Sequence, residues 1–265
     1  MTTYKRHLVY SVSLAMVFFS GLFCSMVAAS EPLTPVVFEF CYENRAVLPY
    51  YEGSGDEVPT DKPGINILAL RALDEAMDGI KIIYRREPWK RCLSSIETGK
   101  VDGSIASYYK SREAVGIYPK VNGKLDVKRK FSSASYCLFK SAKSLIDWNG
   151  KTYLGHGIAP VAVPRGYSII NQLNTHNVLY IEVKSNEEGF NLLANKRVDG
   201  MTTLCEAGRR LINANPQQYG RLVIDTPTLA RKSAYLIVSK PFYRQHKALA
   251  EQMWKQLAQL DVMSY

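Results

Sequence analysis

The chain has 265 residues, 46% of them hydrophobic, and 34 Lys and Arg stand against 24 Asp and Glu for a formal net charge of +10. That length and apolar fraction suit one large domain or two small lobes. The basic surplus is scattered and no nucleic-acid-binding motif accompanies it, which argues against nucleic acid and leaves anionic ligands or an anionic membrane surface.

In chain order, the first residues do not belong to the fold. Lys5, Arg6 and His7 form a short basic head, an apolar run extends from Leu8 to about Ala29, and the small residues Val27, Ala29 and Ser30 precede Glu31 and Pro32. This predicts a secretory signal peptide over 1–29, cleaved after Ala29 or Ser30. The run is also long enough to serve as an uncleaved anchor. No other apolar run approaches membrane length, so the exported chain is expected to be soluble.

Val36–Cys41 (VVFEFC) reads as a strand dense in β-branched and aromatic residues. A polar loop, Tyr42 to Pro63, is punctuated by Gly53, Gly55, Pro59 and Pro63. A helix is predicted from Gly64 to Met77, a strand over Lys81–Arg85, a helix from Lys90 to Thr98 that stops at Gly99, and a small apolar strand over Gly103–Ala106. Strand–helix–strand–helix–strand at this pitch is a parallel α/β sheet.

The pattern then restarts. Ser135–Lys140 is predicted extended, as a crossover between lobes. Strands follow over Gly157–Val163 and Leu179–Val183, helices over Ile169–Leu173, Glu187–Ala194 and Ala207–Asn213, and a short strand after Gly200. Gly99-Lys100-Val101-Asp102-Gly103 is echoed by Lys196-Arg197-Val198-Asp199-Gly200, which assigns Asp102 and Asp199 to strand entrances rather than to chemistry. Ala234–Ser239 reads as a strand returning to the first lobe, and His246–Leu260 as an amphipathic helix. The expected fold is therefore α/β with two parallel-sheet lobes joined by a two-segment hinge. Lobe 1 comprises 30–136 and 234–265, and lobe 2 comprises 137–233.

Four cysteines remain after the leader: Cys41, Cys92, Cys137 and Cys205. An even number in an exported chain favours disulfides, and none has metal-ligand spacing. The end of the first strand and the start of the second helix meet in a parallel sheet, so Cys41–Cys92 is the expected bridge. Cys137 and Cys205 are left as a second bridge or as two buried thiols.

Pro88–Arg112 is the stretch richest in chemistry. It places Trp89 at a helix start and Ser107, Tyr108 and Arg112 in a loop after a core strand, so that an aromatic face and a guanidinium share one end of the sheet. Arg112 is suited to grip a carboxylate through two parallel hydrogen bonds. Glu43 sits at a strand end, and Tyr50 and Tyr51 supply flat walls that also stack on cations. Arg165, Gly166, Tyr167 and Ser168 form a second loop before a helix, whose free N–H groups suit an anion. No Gly-x-Ser-x-Gly elbow, Walker loop or zinc signature is present, and only Glu43 and Glu206 offer carboxylates for acid–base work. His156 reads as a loop residue. The expectation is a binding protein without cofactor or metal, not an enzyme.

This ordered set resembles the family-3 extracellular solute-binding proteins, the type 2 periplasmic binding fold of polar amino acid ABC importers. The resemblance rests on Leu48-Pro49-Tyr50-Tyr51, Pro63-Gly64-Ile65, Trp89, Gly99-Lys100-Val101-Asp102, Ser107–Arg112 and Val161–Ser168. It implies a periplasmic, monomeric protein that closes two lobes around a small anionic or zwitterionic, amino acid-like solute and hands it to an inner-membrane permease. An orphan or sensory binding protein of the same fold is the second reading, and a lyase or dehydratase the third. One departure stands out. The resemblance implies an acidic residue just after the second lobe's small strand to hold an ammonium, and that region reads Met201-Thr202-Thr203-Leu204-Cys205-Glu206, with Glu206 close but displaced.

Overall fold

The computed structural model describes residues 1–2, 34–155 and 159–260. The leader expected over 1–29, beyond its first two residues, and His156 with Gly157 lie outside the described residues. The elements run β1 (Val36–Glu43), α1 (Ile65–Ala76), β2 (Ile80–Glu87), α2 (Trp89–Glu97) and β3 (Gly103–Ser107), then a 3₁₀ turn over Lys110–Ala114. The small hairpin β4 (Lys120–Val121) and β5 (Lys124–Leu125), the long strand β6 (Ser132–Ser141), and a second hairpin, β7 (Asp147–Trp148) and β8 (Tyr153–Leu154), follow. Next come β9 (Val161–Pro164), α3 (Ile170–Thr175), β10 (Tyr180–Val183), α4 (Asn186–Ala194), β11 (Gly200–Leu204) and α5 (Cys205–Ala214). The chain closes with α6 (Pro216–Tyr219), β12 (Leu222–Ile224), β13 (Ala230–Val238), α7 (Lys240–Gln245) and α8 (Lys247–Leu257).

The principal sheet has the order β10-β9-β11-β6-β13-β3-β1-β2, with β12 added on β6. β1 pairs in parallel with β2 and β3, and β9 in parallel with β10 and β11. Antiparallel strands join these two parallel groups. β13 pairs with β3 through Ala234–Val238 and with β6 through Ala230–Ala234. β6 pairs with β13 through Ser132–Tyr136 and with β11 through Tyr136–Lys140. Each of these two strands therefore serves one parallel group with one end and reaches the other group with its opposite end. Their exchange points, Tyr136 and Ala234, sit in the middle of the sheet.

Burial follows the strand pattern. The β1 residues Phe38, Phe40 and Tyr42 pack with Leu70 and Leu73 of α1 and with Met253, Trp254 and Leu257 of α8. The Trp254 Nε1 group donates to the Leu236 carbonyl at 2.7 Å, so the indole anchors the C-terminal helix under β13 with no unpaired donor. In the second half, Phe139, Phe190, Leu193 and Met201 form an apolar layer between the sheet and α4 and α5.

Both turns of the echo do the same work. The Asp102 carboxylate accepts from the Glu39 backbone N–H at 2.8 Å and the Asp199 carboxylate from that of Ala159 at 3.0 Å, each tying a strand entrance. Cys41–Cys92 is bridged, as the strand-end and helix-start argument expects, with Cα atoms 5.6 Å apart. Cys137–Cys205 is bridged as well, Cα–Cα 4.9 Å, because β11 delivers Cys205 to the start of α5 directly over β6.

Some elements differ from the sequence expectations. The predicted crossover is a full strand, β6, and the returning strand starts at Ala230 rather than Ala234 because it pairs on both sides. The strand expected from Gly157 begins at Val161. The helix expected over His246–Leu260 is α8, Lys247–Leu257, and a short helix not expected from sequence, α7, precedes it, capped by the Ser239 hydroxyl and separated from α8 at His246 (φ −128°, ψ 41°). Among the described residues no helix is long and apolar enough to cross a membrane.

Candidate solute-binding site

The C-terminal ends of β1 and β3, the start of α2 and the loop after β9 converge on one cavity. Its volume is about 80 Å³, several times the roughly 10–15 Å³ that one water needs on the same measure. Parallel strands place ligand sites at their carboxyl ends, where side chains leave the sheet and backbone groups are free. Glu43 closes β1 and Ser107 closes β3, so both reach the cavity for this reason.

Glu43 is 7% exposed, and its Oε2 accepts a hydrogen bond from the Tyr167 hydroxyl at 3.0 Å. Burial pushes its carboxyl up to about 7; the bond from Tyr167 works against the rise and Glu187 adds to it. The same contact, with burial as the larger cause, lifts the Tyr167 phenol well above its usual range.

Arg112 is only 2% exposed. Its Nη1 donates to the Ser107 carbonyl at 3.1 Å and its Nη2 to the Gly166 carbonyl at 2.7 Å, while Nε is buried with no partner. The guanidinium lies 4.4 Å from the Tyr109 ring centre and 5.8 Å from that of Trp89. Trp89, fixed by Pro88 at the first position of α2, also donates to the Gly166 carbonyl, at 3.2 Å. The Cys41–Cys92 bridge binds α2 to β1, so Trp89 and Glu43 are held on one rigid support.

Tyr50 and Tyr51 line the cavity from the loop after β1. That loop is clasped to the start of α1 by Gly64, whose φ of +96° and close approach to the Tyr50 carbonyl leave no room for a side chain: an added Cβ would stand 2.4 Å from that oxygen. Asn66, in the first turn of α1, is buried with its Oδ1 unpartnered, as is the Tyr51 hydroxyl. On the opposite side the Ser168 hydroxyl donates to the Tyr136 hydroxyl at 3.2 Å, and Leu204 completes the wall.

The cavity therefore gathers Glu43, Tyr50, Tyr51, Trp89, Ser107, Arg112, Tyr167 and Ser168 from the expected residues. Four others stand apart from its lining. Tyr108 turns away to donate to Glu113 at 2.8 Å and packs edge-on against Tyr118. Arg165 is exposed. Glu206 lies in the first turn of α5, where it pairs with Arg210 at 2.9 Å on the solvent side. Gly166 is at the rim and presents its carbonyl, not its N–H, to Arg112 and Trp89. The anion-binding helix start also differs: α3 has six residues and begins at Ile170, and the Tyr167 N–H is bonded to the Pro164 carbonyl. No acid follows β11 directly: its last residue, Leu204, lines the cavity and Cys205 comes next, and Glu43 is the one carboxylate lining the cavity among the described residues.

Asn66 and Tyr136 were not singled out from sequence. The only trace of Asn66 is a polar residue next to the Gly64 helix start, and Tyr136 reads as one more aromatic in a strand. Among the described residues, one cluster, Cys41, Glu87 and Cys92, has metal-ligand proximity, and its two sulfurs are joined to each other.

No family model matches the chain, and no curated protein matches it by sequence. Solved structures do. A histidine kinase sensor domain with similarity to periplasmic binding proteins is 18% identical, with 86% of this chain and 90% of that chain covered and a TM-score of 0.65. The holo form of ArgBP from T. maritima is 16% identical over 85% of this chain and 92% of that chain, TM-score 0.64. The substrate-binding protein of an amino acid ABC transporter is 15% identical over 84% and 94%, TM-score 0.62. At these identities the likeness speaks for the fold. The chain has the two-lobed α/β fold of the periplasmic binding proteins.

Proposed function

We propose that this protein captures a small zwitterionic, amino acid-like solute between its two lobes, outside the cytoplasm, and delivers it to an ABC importer. The carrying observation is that one small cavity is lined by a buried guanidinium, Arg112, and a buried carboxyl, Glu43, between aromatic walls. Arg112, with its unpartnered Nε, is the group for the solute's carboxylate. Glu43 takes the ammonium in place of the acid expected just after β11. Trp89, Tyr50 and Tyr51 cover the apolar part, and Ser107 and Ser168 add hydroxyls. Lobe 1 is taken as 30–136 with 234–265 and lobe 2 as 137–233. Catalysis is no part of this reading, because a single cavity carboxylate offers no acid–base pair.

A sensory role is the second reading. It is favoured by the likeness to a histidine kinase sensor domain and by a leader long enough to remain as an anchor.

A thermal-shift screen of amino acids, dicarboxylates and simple amines, followed by calorimetry, tests the proposal. An amino acid is expected to stabilise the wild type but neither Arg112→Ala nor Glu43→Gln. Stabilisation that survives both substitutions overturns it. A dicarboxylate that binds independently of Glu43 redirects the solute class.

A further inference from the structure

The two charged side chains of the cavity are both met by one dipeptide of the opposite lobe. The Gly166 carbonyl accepts from Arg112 and from Trp89, at 2.7 and 3.2 Å. The next residue, Tyr167, donates its hydroxyl to Glu43 at 3.0 Å in a buried contact. All three partners belong to the first half of the chain, 54 to 124 positions away in sequence. An acceptor at the guanidinium and a donor at the carboxyl are what a bound zwitterion would supply with its own two ends.

The local structure is shaped for this contact. Gly166 has φ +75°, and a Cβ there would stand 3.3 Å from the Trp89 ring, so a bare backbone lets the carbonyl reach the guanidinium. The dipeptide cannot swing out alone. Arg165 N–H is bonded to the Val183 carbonyl and Tyr167 N–H to the Pro164 carbonyl, both within lobe 2. Separating it from Glu43 and Arg112 therefore requires the lobes to move.

We propose that the Gly166 carbonyl and the Tyr167 hydroxyl are an internal stand-in for the solute, latching the lobes together through Arg112, Trp89 and Glu43. The proposal rests on the binding reading for its purpose, but the latch itself needs no solute. Both stand-in groups are neutral, whereas a carboxylate and an ammonium form the stronger pairs between opposite charges. A solute bearing both charges displaces the whole latch. A plain anion or a plain amine replaces half of it and leaves the other half closed, which makes the latch a filter for zwitterions. The Lys90–Glu182 pair at 4.0 Å also crosses between the halves, but it faces solvent and contributes little.

Small-angle X-ray scattering of the purified protein, with no solute added, tests this. The wild type is expected to give the radius of gyration calculated from the closed structure, and Tyr167→Phe and Gly166→Ala are each expected to increase it while keeping the wild-type circular dichroism. A wild-type profile already matching separated lobes overturns the latch, whether or not either variant folds. Folded variants as compact as the wild type overturn it too. A zwitterion that binds to a protein found open would sink the latch and leave the binding reading standing. A closed, Tyr167-dependent protein that binds no zwitterion would do the reverse.

Discussion

The two walls of the cavity contribute opposite kinds of group. The first half supplies the charges, Glu43 and Arg112, on elements stitched together by Cys41–Cys92 and buried beneath Trp89 and the β1 core. The second half supplies neutral groups: the Gly166 carbonyl, the hydroxyls of Tyr167 and Ser168, and the apolar Leu204. Both charged side chains that line the cavity thereby come from one half of the chain, and the groups that meet them from the other. A buried charge is costly unless a partner meets it. Both charges sit on one disulfide-braced half, and the half that faces them, braced by Cys137–Cys205, meets them with neutral groups.

The largest test of this asymmetry is the brace. Replacing Cys41 and Cys92 together by serine opens a loop of 51 residues and is expected to cost about 4 kcal/mol of stability, read as a fall in the urea midpoint under non-oxidising comparison conditions. A loss under about 1 kcal/mol would mean that packing alone holds α2 to β1.

Next comes the buried carboxyl. Its group sits at about 7 in the folded protein against an ordinary 4.5, so the folded state holds the extra proton between those values. Stability is therefore fully present below pH 4.5, declines as pH rises toward 7, and stays reduced above it. The difference between wild type and Glu43→Gln should change by about 3 kcal/mol across that window. The groups around it are Tyr167 and Tyr51, both phenols above their usual range, and Glu187, whose charge acts in the same sense as burial. A difference that is flat with pH removes Glu43 as the titrating group.

For the guanidinium, Arg112→Ala is expected to weaken the amino acid found by the thermal-shift screen roughly a hundredfold in calorimetry, the scale of one or two hydrogen bonds to a charged group. A loss under threefold would transfer the carboxylate to another residue. The smallest effects belong outside the cavity. Arg165→Ala and Glu206→Gln should each change stability by less than about 0.5 kcal/mol and leave solute affinity within about twofold. A tenfold loss from either would return it to the site.

Much of the fold was legible because its signals are local. β1, α1, β2, α2 and β3 follow from apolar spacing, and Gly64, Pro88 and Gly99 punctuate them where backbone geometry requires. Cys41–Cys92 was legible because the end of the first strand and the start of the second helix meet in a parallel sheet. Cys137–Cys205 was not, because it depends on which strand β11 lies beside. The two differences near the C-terminus are the longer β13, which pairs with two strands at once, and the short α7, which precedes the expected last helix and ends where the backbone changes direction at His246. Neither leaves a periodic signature.

The site divides the same way. Sequence by itself determined that Trp89, Ser107, Arg112, Glu43 and the Arg165–Ser168 loop stand at strand and helix ends, since those ends are set by turn residues and apolar periods a few positions long. Only the tertiary structure decided that Glu43 faces Tyr167 across 124 positions, that Arg112 reaches the Gly166 carbonyl, and that Glu206 and Arg165 stay in solvent. Side-chain direction at an element's end depends on what packs over it, and here that cover comes from the other half of the sheet. The charges could be found in the first half of the chain; what meets them could not.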